Sequence, residues 1–468
     1  MKREIYGYAG KILRIDLTSG KITREPTKTY AQKWLGQRGI GQRILYEELR
    51  PWVHAYEPAN VMVVETGPLS GTLAPSSCRY SLASKNPYNG GVGTSNSCGF
   101  FGPELKYAGY DHLVIRGRAI RPVYLLIRDD QVELRDADFL WGKTTWETED
   151  LIRDKLGDEE VKIICIGPAG ERLVRSACVI ADKARAAGKC GMGAVWGSKN
   201  LKAIVVKGTG AVEVAQPERF VEVVERFWKR IVASPLLKSY SKYGTTAGIV
   251  LSEGELIMPY KNFQETSIPT KSIENFDLGG RLYGYKIKDQ AKLACPVHCS
   301  KIYEIKEGPY AGLVTEGLQW QSVSNWGGKC AVDYGAALIK IETYCNQMGV
   351  DMDGSAGAIS WAMECYQRGI ISEKDTEGLK LEWGDHQLIL ELLRRLSYRE
   401  GFGNILAEGS KRASEIVGRG SEYYAIHQKG QELYEEPRDT IAWGLGACVA
   451  TRGGGAIPPE RRVARFRC

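Results

Sequence analysis

The chain of 468 residues has no apolar run long enough to cross a membrane. Its first residues, MKREIYGYAGKIL, lack the apolar core that a secretory signal needs. With no such signal, its twelve cysteines point to a reducing compartment, the cytoplasm, where thiols stay free or bind metal. There is no G-x-x-x-x-G-K-[ST] loop, internal repeat or low-complexity linker. Gly91-Val92-Gly93-Thr94-Ser95-Asn96 ends in asparagine where a dinucleotide fingerprint needs its third glycine. Charge of one sign is also scarce. Of the formal +7, four arginines against one glutamate between Glu460 and Arg467 supply +3, and the rest is too diffuse for a nucleic-acid surface.

Hydrophobic residues at 43% and charged residues at 25% are the proportions of a soluble globular protein, and the length suggests about three domains. Runs at Lys11–Asp16 and Lys21–Arg24 flank a Thr18-Ser19-Gly20 turn as a hairpin. Further strands are expected at 61–65, 112–116, 123–128, 161–166 and 203–206, interrupted by one helix, Thr145–Leu156. After about residue 209 the period becomes helical, with helices expected at 217–232, 332–348, 357–368, 386–398 and 404–417, most of them ending at glycine. The fold class expected is α+β: a two-sheet, β-rich cofactor domain over 1–208, a helical domain over 209–425, and the start of a third helical domain over 426–468.

Glycine is densest at Gly67–Gly117 and Gly188–Gly208. Glycine, serine and asparagine at this density suit a backbone that approaches a ligand closely and offers N–H groups to an anion, such as a phosphorylated cofactor, although glycine also marks ordinary turns. Cys295-Pro296-Val297-His298-Cys299 is the strongest local metal signal. Were it helical from Pro296, two thiols would share a face; two buried core cysteines are the alternative, and zinc on Cys295, His298 and Cys299 lacks a fourth ligand.

The wording of the glycine-rich stretches resembles the aldehyde:ferredoxin oxidoreductase family, tungsten enzymes that hold their metal between two pterins. The resemblance is carried by Gly10-Lys11-Ile12-Leu13-Arg14-Ile15-Asp16-Leu17, Gly67-Pro68-Leu69-Ser70-Gly71, Gly102-Pro103-Glu104-Leu105-Lys106, Ile166-Gly167-Pro168-Ala169-Gly170-Glu171 and Gly193-Ala194-Val195-Trp196-Gly197-Ser198, and it runs over roughly the first 450 residues. It implies Glu316 as the active-site carboxylate. Arg79, Asn96, Ser97, Cys98, Lys189 and Cys190 would bind the cofactor, together with Asn346, Gly349, Val350 and Asp351 of a pterin loop, and Cys295 and Cys299 would ligate a [4Fe–4S] cluster. Mg2+ is a further candidate. The activity implied is oxidation of a small aldehyde to a carboxylic acid, with electrons passing to ferredoxin or another electron-transfer subunit; a homodimer is compatible with this.

The text departs from the family at four places: Lys292 stands at a cluster cysteine, Asn346 at an aspartate, and Lys189-Cys190 where Arg-Gly is usual. The ending Gly455–Cys468 reads as out of frame, so a truncated and inactive chain is expected. The rival readings are the tungsten subunit of a benzoyl-CoA reductase and a non-catalytic fragment.

Overall fold

The computed structural model describes residues 5–247, 257–275, 281–438 and 441–455. It forms two compact units: residues 1–173, 177–238 and 291–298 make the first, and 174–176, 239–290 and 299–468 the second. The fold class is α+β, as the sequence suggests.

Twelve strands build the first unit: β1 Lys11–Asp16, β2 Lys21–Pro26, β3 Met62–Thr66, β4 Tyr80–Lys85, β5 Val92–Ser97, β6 Tyr110–Arg116, β7 Val123–Arg128, β8 Gln131–Asp136, β9 Lys162–Cys165, β10 Val179–Ala181, β11 Arg185–Ala187 and β12 Leu201–Lys207. They form two six-stranded sheets, ordered β2-β1-β6-β3-β4-β5 and β11-β10-β9-β12-β7-β8. Each sheet has one parallel pair, β1–β6 and β7–β12, and is otherwise antiparallel.

Side-chain alternation assigns the faces. Leu13, Val64, Leu82 and Leu113 of the first sheet share a core with Leu125, Ile127, Ile164 and Ile204 of the second. The opposite face of the first sheet, with Val61, Val63, Ala83 and Val114, is covered by Ile40, Ile44 and Leu45 of helix Arg38–Glu48. Helix Thr145–Leu156 covers the outer face of the second sheet through Ile152. That helix starts in a capping box of Thr144 with Glu147 and stops at left-handed Gly157, the two signals that made it legible in sequence.

Strands β4 and β5 and the helices Lys28–Trp34, Arg38–Glu48, Phe101–Tyr107 and Met192–Ser198 were not expected, so the single-helix expectation for this region is corrected. All of β4 is buried, on both faces, so it has no apolar–polar alternation to read.

The second unit is not purely helical. Strands Lys286–Gln290, Ser300–Glu304 and Val314–Gly317 form an antiparallel meander beside helices Gly335–Met348, Met352–Gln367 and His386–Tyr398. The helix expected at 404–417 is two helices, Phe402–Leu406 and Gly409–Val417, because Gly409 adopts φ +78°. The expected third helical region contributes two short strands and helix Ile441–Val449; the ending beyond residue 455 lies outside the described residues.

The first unit is tied together at Asp111. Its fully buried carboxylate accepts from Ala9 N at 2.9 Å, Gly10 N at 2.8 Å, Thr27 Oγ1 at 2.7 Å and the buried Lys106 ammonium. Although burial opposes the charge, the Lys106 ammonium and the donated hydrogen bonds hold this carboxyl below the usual aspartate range. The stability it contributes is present above the unfolded-state pKa and is lost as pH falls through the depressed folded value. Replacement Asp111→Ala strands a buried ammonium and should cost about 3–5 kcal/mol in urea titration at neutral pH. The gap between variant and parent should close as pH falls below the ordinary aspartate pKa, of about 4; a gap independent of pH would refute the assignment.

Candidate functional site

In the first unit, three distant segments meet on edge strand β5. Arg79, just before β4, is exposed, and its Nη1 donates to Asn96 Oδ1 on β5. One residue away, Ser95 Oγ donates to Lys189 O at 2.6 Å, and the Cys190 thiol lies 3.6 Å from Thr94 O. Gly93 makes this approach feasible, since a Cβ there would sit 2.8 Å from the Cβ atoms of Asn86 and Cys190. Arg79 and Asn96 thus meet on the face of β5 toward helix Arg38–Glu48, whereas the Lys189-Cys190 segment lies against the opposite face, toward the core between the sheets.

Lys189, Cys190 and Gly191 are successive left-handed residues, with φ of 67°, 61° and 61°. Two of them carry side chains, so the turn is strained and is held by its bonds to β5. Cys190 is fully buried, so its side chain turns inward. Ser97 Oγ is engaged by Arg185 O at 3.1 Å, leaving that side chain a structural role in the described structure. Cys98 follows β5 and is half-buried.

The segment 295–299 is not helical. Pro296 disfavours helix for Cys295, and Cys299 leads straight into strand Ser300–Glu304. Cys295 belongs to the first unit and Cys299 to the second, so the one-face helical pairing is corrected. Cys295 Sγ lies 3.5 Å from Ser76 Oγ. Lys292 is buried, with Nζ 3.5 Å from the Asp182 carboxylate and 5.4 Å from the Phe100 ring centroid. Gly99 admits this pair, because a Cβ there would lie 2.5 Å from Asp182 Oδ2. The position thus carries an ammonium committed to an acid, and supplies no thiolate.

In the second unit, Glu316 lies half-buried on strand Val314–Gly317, paired with Ile302, three residues before the Gln319 cap of the next helix. Beyond it runs a wholly buried π-helical segment, Val323–Lys329, a geometry found mostly at functional sites and carrying no sequence signal that the helical period could reveal. From this segment Asn325 Nδ2 donates to Asp353 Oδ1 at 2.6 Å, which joins it to helix Met352–Gln367.

Asp351 caps that helix, accepting from Gly354 N at 3.3 Å, while its own N–H donates to Ser176 O at 2.7 Å. Gly349 ends the preceding helix at φ 71°, Asn346 is buried in that helix's last turn, and Val350 is buried. The loop 346–351 is rigid by its caps, and the side chain of Val350 cannot meet a ligand. A separate cleft of about 480 Å3, lined by Asn262, Phe263, Glu364, Arg368 and Tyr424 among others, includes none of the expected site residues.

Comparison with known proteins gives two family matches: the aldehyde ferredoxin oxidoreductase N-terminal domain over residues 12–208, and domains 2 and 3 of the same family over 222–460. A tungsten-containing aldehyde ferredoxin oxidoreductase of Pyrococcus abyssi is 38% identical over 457 residues, covering 96% of this chain and 74% of that protein. The WOR-like subunit of an aliphatic sulfonate oxidoreductase of Pyrococcus furiosus is 34% identical, covering 91% and 70%. Among solved structures, the active-site complex BamBC of benzoyl coenzyme A reductase matches with a TM-score of 0.83 and 25% identity, covering 96% of this chain and 69% of that one.

The packing at Gly93 gives a direct check on the β5 meeting point. Gly93→Val drives a branched side chain into Asn86, Cys190 and Met192 and should destabilise the protein by about 1–3 kcal/mol. An unchanged melting temperature would show that the Lys189-Cys190 turn is not held by this contact.

Proposed function

The chain belongs to the aldehyde ferredoxin oxidoreductase family, and on that premise we propose that it oxidises a small aldehyde to a carboxylic acid and passes the electrons to ferredoxin or a related electron-transfer subunit. The observation that carries the reading is that Arg79 and the Lys189-Cys190 turn are both fixed on β5, from its two faces, the first through Asn96 and the second through Ser95 and Thr94. The family's cofactors are a tungstopterin and a [4Fe–4S] cluster.

Each unit, taken by itself, carries residues that suit a pterin. Arg79 is an exposed planar fork anchored through Nη1 on Asn96, and its other donors suit phosphate oxygens. The capped loop at Gly349–Asp351 offers fixed backbone groups to a heterocycle edge. The cluster fits only in part: Cys295 and Cys299 are half-buried cysteines outside any disulfide, whereas Lys292 is engaged with Asp182 and supplies no thiolate.

When bound, the tungsten centre supplies the two-electron chemistry. The chain supplies position and proton handling. Oxidation of an aldehyde consumes a water and releases two electrons and two protons, so a base must accept a proton from that water. Glu316 has the right chemistry, a half-buried carboxylate on strand Val314–Gly317, which packs beside helix Gly335–Met348.

A benzoyl-CoA reductase-type reaction on the same scaffold is the second reading, prompted by the BamBC match. It is less favoured, because identity there is 25% against 38% for the aldehyde enzyme.

Anaerobic expression with tungstate, followed by aldehyde-dependent viologen reduction, tests the proposal. Arg79→Ala should lower bound tungsten. Glu316→Gln should keep tungsten while lowering kcat by about 100-fold or more. A tungsten-loaded protein inert to aldehydes would overturn the reading.

A further inference from the structure

The cleft of about 480 Å3 in the second unit is assembled from three stretches far apart in the chain. The turn of the hairpin formed by strands Ile257–Tyr260 and Glu265–Ser267 brings Asn262 and Phe263. The end of helix Met352–Gln367 brings Glu364 and Arg368, and the short turn Ser421–Tyr424 brings two tyrosines. A volume of this size is that of a small-molecule site.

The hairpin wall is strained. Lys261, Asn262 and Phe263 are successive left-handed residues, with φ of 47°, 53° and 66°, the one run of three without glycine among the described residues. Such backbone is unfavourable wherever a Cβ is present. It is held by Lys261 N on Gly328 O at 3.2 Å and Asn262 N on Lys329 O at 3.1 Å, both in the π-helical segment, and by Arg438 Nη2 on Phe263 O at 3.2 Å. The buried Asn262 side chain ties all three stretches. Its Nδ2 donates to Glu364 Oε2 at 2.7 Å and Tyr424 O at 2.9 Å, and its Oδ1 accepts from Ser360 Oγ at 3.2 Å. Strain so firmly over-determined is common at functional sites. Here it fixes Phe263 as a wall of the cleft, with the buried Lys329 ammonium 5.3 Å from its ring centroid.

The polar end of the cleft is one guanidinium. Arg368 donates from Nε at 2.9 Å and Nη2 at 2.8 Å to a single oxygen, Glu364 Oε1, while its Cζ lies 4.5 Å from the Tyr424 ring centroid. A guanidinium has two hydrogen-bonding edges. Glu364 takes the Nε–Nη2 edge. Nη1 has no protein partner among the described residues, and the side chain is 42% exposed, so the Nη1–Nη2 edge is left to a ligand. With an acid on one edge and a ring on one face, the plane of that fork is set in advance. Tyr423, 85% exposed, stands edge-to-face against Tyr424 with centroids 5.1 Å apart.

A planar fork suits a carboxylate, and the ring-lined remainder suits an aromatic group. Glu265, exposed on the same lining, opposes a second negative charge. We infer that this cleft binds a small aromatic monocarboxylate, with its carboxylate on the Nη1–Nη2 edge of Arg368 and its ring against Phe263 and the two tyrosines. Binding is non-covalent and involves no redox step. The inference is independent of the proposed aldehyde oxidation, since neither Glu316 nor Arg79 belongs to the cleft.

Calorimetric titration of the intact protein with phenylacetate tests the site, with fluorine NMR of 4-fluorophenylacetate as a second readout. A saturable Kd on the order of 1 mM is expected for a ligand of this size. 2-Phenylethanol, which lacks the charge, should bind about tenfold more weakly. Cyclohexylacetate, without the aromatic ring, and 1,4-phenylenediacetate, with a second charge, should each lose about threefold.

Arg368→Gln should weaken phenylacetate binding by about tenfold or more, and Arg368→Lys by less. Arg368 also neutralises buried Glu364, so melting temperatures are compared for each variant; Tyr423→Ala, at an exposed position, should weaken binding about threefold and decides the matter if Arg368→Gln is unfolded. Arg79→Ala should leave the affinity unchanged. No saturation by about 20 mM, phenylethanol binding as tightly as phenylacetate, or parental affinity in folded Arg368→Gln or in Tyr423→Ala would overturn the assignment. Binding lost in Arg79→Ala instead would place the carboxylate at the β5 corner and refute the cleft. Absence of aldehyde oxidation in the parent would refute the proposed function and leave these titrations standing.

Discussion

The carboxylate of Asp111 is the constraint on which the first unit depends. It gathers two backbone amides of the N-terminal segment, the Thr27 hydroxyl beyond β2 and the buried Lys106 ammonium from helix Phe101–Tyr107. Because it sits beside His112 on β6, the same cluster fixes the strand whose neighbours carry Glu65, Ser81 and Asn96. A buried pair of this kind contributes less to net stability than to geometry, since much of its attraction offsets desolvation. Its consequence is a defined register for these strands.

A second theme is left-handed backbone in residues that are not glycine. Lys189-Cys190 beside β5, Asp182-Lys183 near Lys292, and Leu35 with Gln37 above Glu65 all adopt it, each tied down by nearby side chains or by a neighbouring strand. Such conformations cost energy at each residue and survive because packing leaves no alternative. The second unit has such backbone too, as the run Lys261-Asn262-Phe263 shows.

Family membership places the chemistry in a tungsten oxidoreductase class, and the residues decide how closely this chain follows it. Arg79 and Asn96 are joined as a phosphate-facing corner would require, whereas Lys292 has been absorbed into an ion pair with Asp182. One departure from the family text is thus structurally silent at the corner: the Cys190 side chain packs inward against Gly93 and takes nothing from the exposed surface. The other is the ion-paired ammonium of Lys292.

The sequence by itself determined the locally encoded parts. The β1–β2 hairpin, strand β7, the capped helix Thr145–Leu156 and the helix ending at Gly349 were legible because their signals lie within a few residues of the element they define. Family wording named Arg79, Asn96, Glu316 and Asp351 as candidates, without saying which would touch. Strands β4 and β5 escaped notice because burial on both faces, or a run of small polar residues, erases alternation. The π-helical segment before Cys330 has no periodic signature of its own. Tertiary structure alone decided that Lys292 would find Asp182, that Cys295 and Cys299 would not share a helix face, and that His112, Glu65, Ser81 and Asn96 would stand in one line. Those outcomes depend on the register of strands far apart in the chain, which is set by the packing of the whole sheet and leaves no trace in any short window of residues.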